Sequence, residues 1–208
     1  MTTTDSRQVR RDAIERLAAA VRALGDAAVE TDVDHVTLDR ITAQIADLTD
    51  RLAAATDDTP YSGLVWPPGD FSVPEGPMPL NPIIGACSPV RPDVEMRFSD
   101  GEIVGRALFT KRFVGPPGFA HGGISAMLAD QLVSASPQAV GVRTITKSLH
   151  VEYRRPLPLG EVVTLWGVCE PVGDGFRARC KVTARGDVAV EGTAELVPFE
   201  RLARRRTT

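Results

Sequence analysis

The stretch from Phe113 to Gln131, Phe-Val-Gly-Pro-Pro-Gly-Phe-Ala-His-Gly-Gly-Ile-Ser-Ala-Met-Leu-Ala-Asp-Gln, constrains this chain more than any other. It predicts a tight turn that runs straight into a buried helix. Gly115, Pro116, Pro117 and Gly118 cannot continue a strand, so the backbone turns there. From Ile124 to Val133 nearly every residue is apolar or small, which predicts a helix with no wet face, enclosed by protein. One carboxylate, Asp130, lies inside it.

Two features of that helix suggest chemistry. At its entrance Gly122 and Gly123 leave backbone N–H groups and the positive end of the helix dipole open, with no side chain to block access. Such an entrance suits a carbonyl oxygen that becomes negative in a transition state. Asp130, in apolar surroundings, is driven to take a proton or attack an electrophile. His121 and Asp130 are nine positions apart, which on a regular helix puts them on opposite faces and roughly 13 Å apart. Either only one of them is functional, or a second copy of the chain completes the site. Plainer roles stand beside these: close packing for the glycines, a backbone bond for Asp130, a helix cap for His121. Ser125 lacks the Gly-x-Ser-x-Gly frame of a nucleophile elbow and reads as packing.

The rest of the chain supplies strands around this helix. Asp93 to Phe98 and Glu102 to Phe113 flank Ser99-Asp100-Gly101, and Asp-Gly between alternating runs is a hairpin signal. After the helix come strand patterns over Val142 to Tyr153, Val162 to Glu170, Phe176 to Ala184 and Val188 to Leu196. There is no strand–helix alternation, which favours an antiparallel sheet wrapped around a central helix, an α+β architecture, over a parallel doubly wound sheet. Upstream, residues 6 to 24 form an amphipathic pattern stopped by Gly25. Leu38 to Ala55 carries a coiled-coil-like seam of Ile41, Ile45, Leu48 and Leu52. Together they predict an N-terminal helical hairpin over residues 1–60. A Pro-rich linker over 61–80 follows, its Tyr61, Leu64, Val65, Trp66 and Phe71 too apolar for a free tether. The main domain spans 81–198, and 199–208 is a basic tail with Arg201, Arg204, Arg205 and Arg206.

Composition narrows the function class. A net charge of −3 with 25% charged residues argues against nucleic acid as the main partner. Cys87, Cys169 and Cys180 are odd in number and widely spaced, which predicts free thiols in a reducing compartment. With three histidines and no carboxylates clustered beside them, no metal site and no cofactor are expected. No apolar run is long enough for a membrane span and no signal-peptide core follows Met1, so a cytoplasmic location is expected.

A strand hairpin, a turn, His121-Gly122-Gly123, a buried helix carrying Asp130 and then long antiparallel strands resemble the hotdog fold. The stretch Phe113 to Gly123 with Asp130 is similar to the acyl-CoA thioesterase superfamily. In particular it is similar to the branch related to phenylacetate-pathway thioesterases and to thioesterase superfamily members four and five. Thr146 through Tyr153-Arg-Arg-Pro-Leu-Pro-Leu-Gly-Glu161 also resembles that branch, and the likeness covers roughly residues 80 to 198. The resemblance implies that Asp130 is the general base or nucleophile and that the Gly122 N–H polarises the thioester carbonyl. It implies that His121 positions the thioester or its loop, and that Thr146 stands near the attacking water. It also implies a homodimer or larger homo-oligomer in which the helix entrance of one chain faces the Asp of the other. A related subgroup has an Asn six residues before the His, where this chain has Gly115. The substrate would be an acyl-CoA, with Gly123 a substrate-binding residue and Lys147, Arg154 and Arg155 candidates for the nucleotide phosphates. An acyl-thioester dehydratase or hydratase, and a non-catalytic acyl-CoA-binding module, are the competing functions.

Overall fold

The computed structural model describes residues 3–56 and 78–199. Two long helices come first, α1 (Thr3–Glu30) and α2 (His35–Ala53). The strands β1 (Asp93–Ser99) and β2 (Glu102–Leu108) precede a central helix, α3 (Gly122–Ala135). After it come β3 (Thr144–Tyr153), β4 (Val162–Val172), β5 (Gly175–Ala184) and β6 (Asp187–Pro198). They form one antiparallel sheet in the order β1-β2-β4-β5-β6-β3. No described helix is long and apolar enough to cross a membrane.

Local sequence explains the register. Asp100 and Gly101 both have positive φ, 53° and 80°, so the β1–β2 turn follows the right-handed twist of its strands and pairs Ser99 with Glu102. Arg185 and Gly186 repeat that geometry between β5 and β6. Alternation then decides the faces. Ala178, Cys180 and Val182 of β5 and Gly192, Ala194 and Leu196 of β6 are buried on one side. Glu191, Thr193 and Glu195 turn to the other. The inner side wraps α3, whose Leu128, Ala129, Leu132 and Val133 are completely buried. Gly192 lets this happen, because a Cβ there would lie 2.7 Å from the Cys180 sulfur and 3.4 Å from the Ala129 Cβ.

The central helix differs from its sequence expectation in one respect. Gly123 and Met127 are exposed and Asp130 and Ser134 half-buried, at i, i+4, i+7 and i+11. That spacing is one continuous stripe, and the described residues leave it partly uncovered. The predicted absence of a wet face is therefore corrected: apolar content described what the helix needs, and the described residues of one chain supply only part of it.

Other boundaries also shift. α1 continues through Gly25, where no stop occurs; there the helix passes the Arg112 side chain, whose Cδ would lie 2.8 Å from an added Cβ. α2 begins at His35 because Asp34 caps it, accepting from the Thr37 N–H at 3.1 Å and the Thr37 hydroxyl at 2.8 Å. β2 ends at Leu108, before the predicted Phe113, because Phe109 and Phe113 turn into the core edge to face, 5.9 Å apart. The segment after residue 77 is already part of the domain. Ile83, Ile84 and Cys87 are buried in the core, and Met78 packs against it. The predicted linker residues 61–77 and tail residues 200–208 lie outside the described residues.

Candidate active site

Asp130 and Thr146 meet on the inner side of the sheet. Asp130 sits in the third turn of α3 and Thr146 near the start of β3, at the sheet edge. The Thr146 hydroxyl donates to Asp130 Oδ1 at 3.0 Å. A bulge in the pairing of β3 with β6 falls between Thr146 and Ser148. Such a bulge re-aims a side chain, and it keeps both Thr146 and the core-packed Leu149 on the inner face. Oδ1 of Asp130 is thus engaged, and Asp130 itself lies on the open stripe of α3.

The helix entrance is built by the Gly-Pro-Pro-Gly turn. The His121 N–H donates to Phe113 O at 2.8 Å and the Ala120 N–H to Leu157 O at 2.8 Å, so the turn is stitched to both sides. His121 is exposed and caps α3, its Nδ1 accepting from the Gly123 N–H at 2.9 Å. With Nδ1 accepting, a neutral ring carries its proton on Nε2. The Gly123 N–H is therefore occupied by this cap, while the Gly122 N–H opens the helix ahead of the intrahelical ladder. Space around Gly122 is generous: the atoms nearest an added Cβ belong to the Tyr153 side chain, the first at 3.7 Å. The Tyr153 hydroxyl donates to Gly122 O at 3.2 Å, tying the end of β3 to the entrance. Tyr153 belongs to the Tyr-Arg-Arg-Pro motif, yet sequence type alone does not mark it as a site residue. Its signal was its inward phase at the end of β3, which the bulge concealed.

From Gly122 to Asp130 is eight residues, about 12 Å along the axis. The two halves of the predicted site are therefore separate within one chain. Asp130 is joined by Thr146, and Gly122 by His121 and Tyr153.

The three candidate phosphate cations are ion-paired. Lys147 meets Glu195 at 3.1 Å, Arg154 binds Glu191 at 2.9 Å and also Glu152, and Arg155 meets Asp187 at 3.0 Å. Lys147 and Arg154 share the outer side of the sheet with Glu195 and Glu191, away from Asp130. Cys180 lies beneath the site, its thiol donating weakly to Ala129 O at 3.7 Å. Burial pushes that thiol up to about 12, so it is no nucleophile. Next to Asp130, Gln131 is buried, and its Oε1 accepts from Asn81 Nδ2 at 2.7 Å. Asn81 Oδ1 in turn accepts from the Ile83 and Ile84 N–H groups at 2.8 and 3.1 Å, which binds the segment after residue 77 to the catalytic-candidate helix.

Among solved structures, a thioesterase superfamily protein matches with a TM-score of 0.76 at 29% identity, covering 88% of this chain and 94% of its own. This is the hotdog fold of the thioesterase superfamily. The match extends beyond the hotdog domain into the N-terminal part of the chain. The E. coli PaaI protein from the phenylacetic acid degradation operon is a more distant likeness. Its TM-score is 0.48 at 14% identity, over 51% of this chain and 79% of its own. Among curated proteins, the acyl-coenzyme A thioesterase THEM4 of Xenopus laevis is 34% identical over 74 residues. That match covers 35% of this chain and about a third of the relative, 33% of its length. No family model matches the chain.

Proposed function

We propose that this hotdog protein is an acyl-CoA thioesterase, which hydrolyses an acyl-CoA to a carboxylic acid and coenzyme A. The observation that carries the reading is the 3.0 Å bond from the Thr146 hydroxyl to Asp130. It is a carboxylate held in place by a hydroxyl, beside an open stripe of helix in a domain of thioesterase type. The acyl-coenzyme A thioesterase relative supports the substrate class.

The chemistry needs little else. Asp130 Oδ2 accepts a proton from water as the water oxygen attacks the thioester carbon. The Thr146 bond holds Oδ1 and so fixes the direction of Oδ2. The carbonyl oxygen becomes negative and is stabilised by the Gly122 N–H and the α3 dipole. The C–S bond then breaks, and the coenzyme A thiolate, a good leaving group, takes the proton. A direct attack by Asp130 on the carbon, followed by hydrolysis of the anhydride, uses the same groups.

Because Gly122 and Asp130 are about 12 Å apart on one helix, the complete site takes Gly122 from one chain and Asp130 from its partner. A homodimer that covers the Gly123–Met127–Asp130–Ser134 stripe would also bury the face of α3 that one chain leaves open. His121 orders the entrance by capping it, and Gly123 leaves room for the acyl group. For Lys147, Arg154 or Arg155 to hold the nucleotide phosphates, each would exchange its present carboxylate for a phosphate.

The test is release of free thiol from short, long and aromatic acyl-CoAs. Asp130→Asn is expected to lower turnover by on the order of 10²–10⁴ and Thr146→Ala by a smaller factor, with acyl-CoA binding retained in both. Binding without turnover in the unaltered protein, or full turnover in Asp130→Asn, overturns the proposal and favours a non-catalytic binding module.

A further inference from the structure

Among the described residues the second helix has no packing partner. None of its residues is buried. Leu48 is 52% exposed and Leu52 58%, although they belong to an apolar stripe, Leu38, Ile41, Ile45, Leu48 and Leu52, spaced 3-4-3-4. Such spacing is the seam of a two-helix contact. The first helix does not fill it. α1 turns a small and polar side to the hotdog domain, where Ala18 is buried, Arg22 donates to Ser88 O at 2.6 Å and Asp26 binds Arg112 at 2.6 Å. Its own stripe stays open, with Val21 42% exposed. A 19-residue helix with none of its residues buried is marginal in water.

We infer that the α2 seam is covered by α2 of a second copy, antiparallel, about a two-fold axis through Ile45. The seam is almost its own reverse about that residue: Leu38 comes opposite Leu52, Ile41 opposite Leu48, and Ile45 opposite itself. A two-fold contact requires this kind of self-complementarity. The charge layout permits it. Asp39, Arg40, Asp47 and Asp50 lie on the opposite side of the helix. The positions flanking the seam are Thr37, Thr42, Gln44 and Thr49, and Arg51 turns back towards Asp47 at 3.9 Å. No like charges meet in the antiparallel pair, so neither copy opposes the other. The contact is separate from the open stripe of α3, and it does not depend on the catalytic reading. A chain that used both surfaces would assemble beyond a dimer.

The test uses the full chain with the half-buried Cys169 replaced by alanine. Ile45→Cys places a thiol on the proposed axis, and Arg40→Cys places one on the far side. Under mild oxidation Ile45→Cys is expected to give a disulfide-linked dimer and Arg40→Cys to give none. Independently, Ile45→Glu with Leu48→Glu keeps helix-forming residues and is expected to halve the mass in sedimentation, with thiol release unchanged. No link through Ile45, a link equally efficient through Arg40, or an unchanged mass overturns the inference. A disulfide within one chain between Val21→Cys and Ile45→Cys, in preference to one between copies, also overturns it and assigns the seam to α1.

Discussion

Gly115 touches His121 so closely that no side chain fits between them. A Cβ on residue 115 would stand 2.7 Å from the His121 Cα and 3.1 Å from its nitrogen, and both atoms are backbone. The Asn found here in a related subgroup therefore cannot be accommodated without moving the entrance of α3. Gly115→Ala is therefore expected to displace His121 and the Gly122 N–H together. Displacements of about 1 Å at a reacting centre cost on the order of 10² in rate. Thiol release by Gly115→Ala is expected to fall by that order with the melting transition still cooperative; unchanged turnover would show that the turn tolerates the shift. His-Gly-Gly and Asp130 stood out by type and spacing, whereas Thr146 entered only through resemblance, as a residue near the attacking water, and its bond to Asp130 came from the structure. That bond depends on a one-residue bulge in β3, and alternation by itself cannot reveal a bulge.

The helices raise a different question, how an appendage is fastened to a domain. α1 is held by ions and backbone rather than by its apolar stripe. Burial pushes the Asp26 carboxyl up, but hydrogen bonds from Arg112 and Thr110 and the Arg112 charge more than offset this. They hold it below its ordinary 3.8. A depressed carboxyl contributes stability that is present above its unfolded value and lost as pH falls through its folded one. Docking of α1 is thus expected to be intact at pH 6 and weakened below about pH 3.8. Hydrogen-exchange protection factors of the α1 amides measure it. They should drop on acidification in the unaltered protein, and in Asp26→Asn they should already be low at pH 6. Equal α1 protection at pH 6 and pH 3 would remove Asp26 as the fastening. Helix existence was legible because 3-4 spacing of leucine and isoleucine is a local signal. The fastening was not, since Asp26 and Arg112 are 86 positions apart.

At the scale of the whole molecule, the separation of Gly122 from Asp130 makes a prediction about mixtures. Gly122→Pro removes only one N–H at a helix position that accepts proline, so it disables the entrance and spares the fold. Asp130→Asn disables the base. If each site takes one half from each chain, refolding the two inactive variants together restores one good site in every mixed dimer, about a quarter of full activity for random pairing. Sites confined to one chain would stay silent in the mixture, and thiol release decides between them. By itself the sequence determined an antiparallel sheet around an apolar helix, an Asp-Gly hairpin turn and a helical N-terminal region. Turn residues and apolar periodicity act through neighbours in the chain, so they can be read from it. Only the tertiary structure decided that α3 keeps one stripe open, that α2 leaves its seam unpacked and that Lys147 and Arg154 face away from Asp130. Those outcomes depend on which segments distant in sequence come to lie on each face, and burial, unlike periodicity, is a property of the assembled chain.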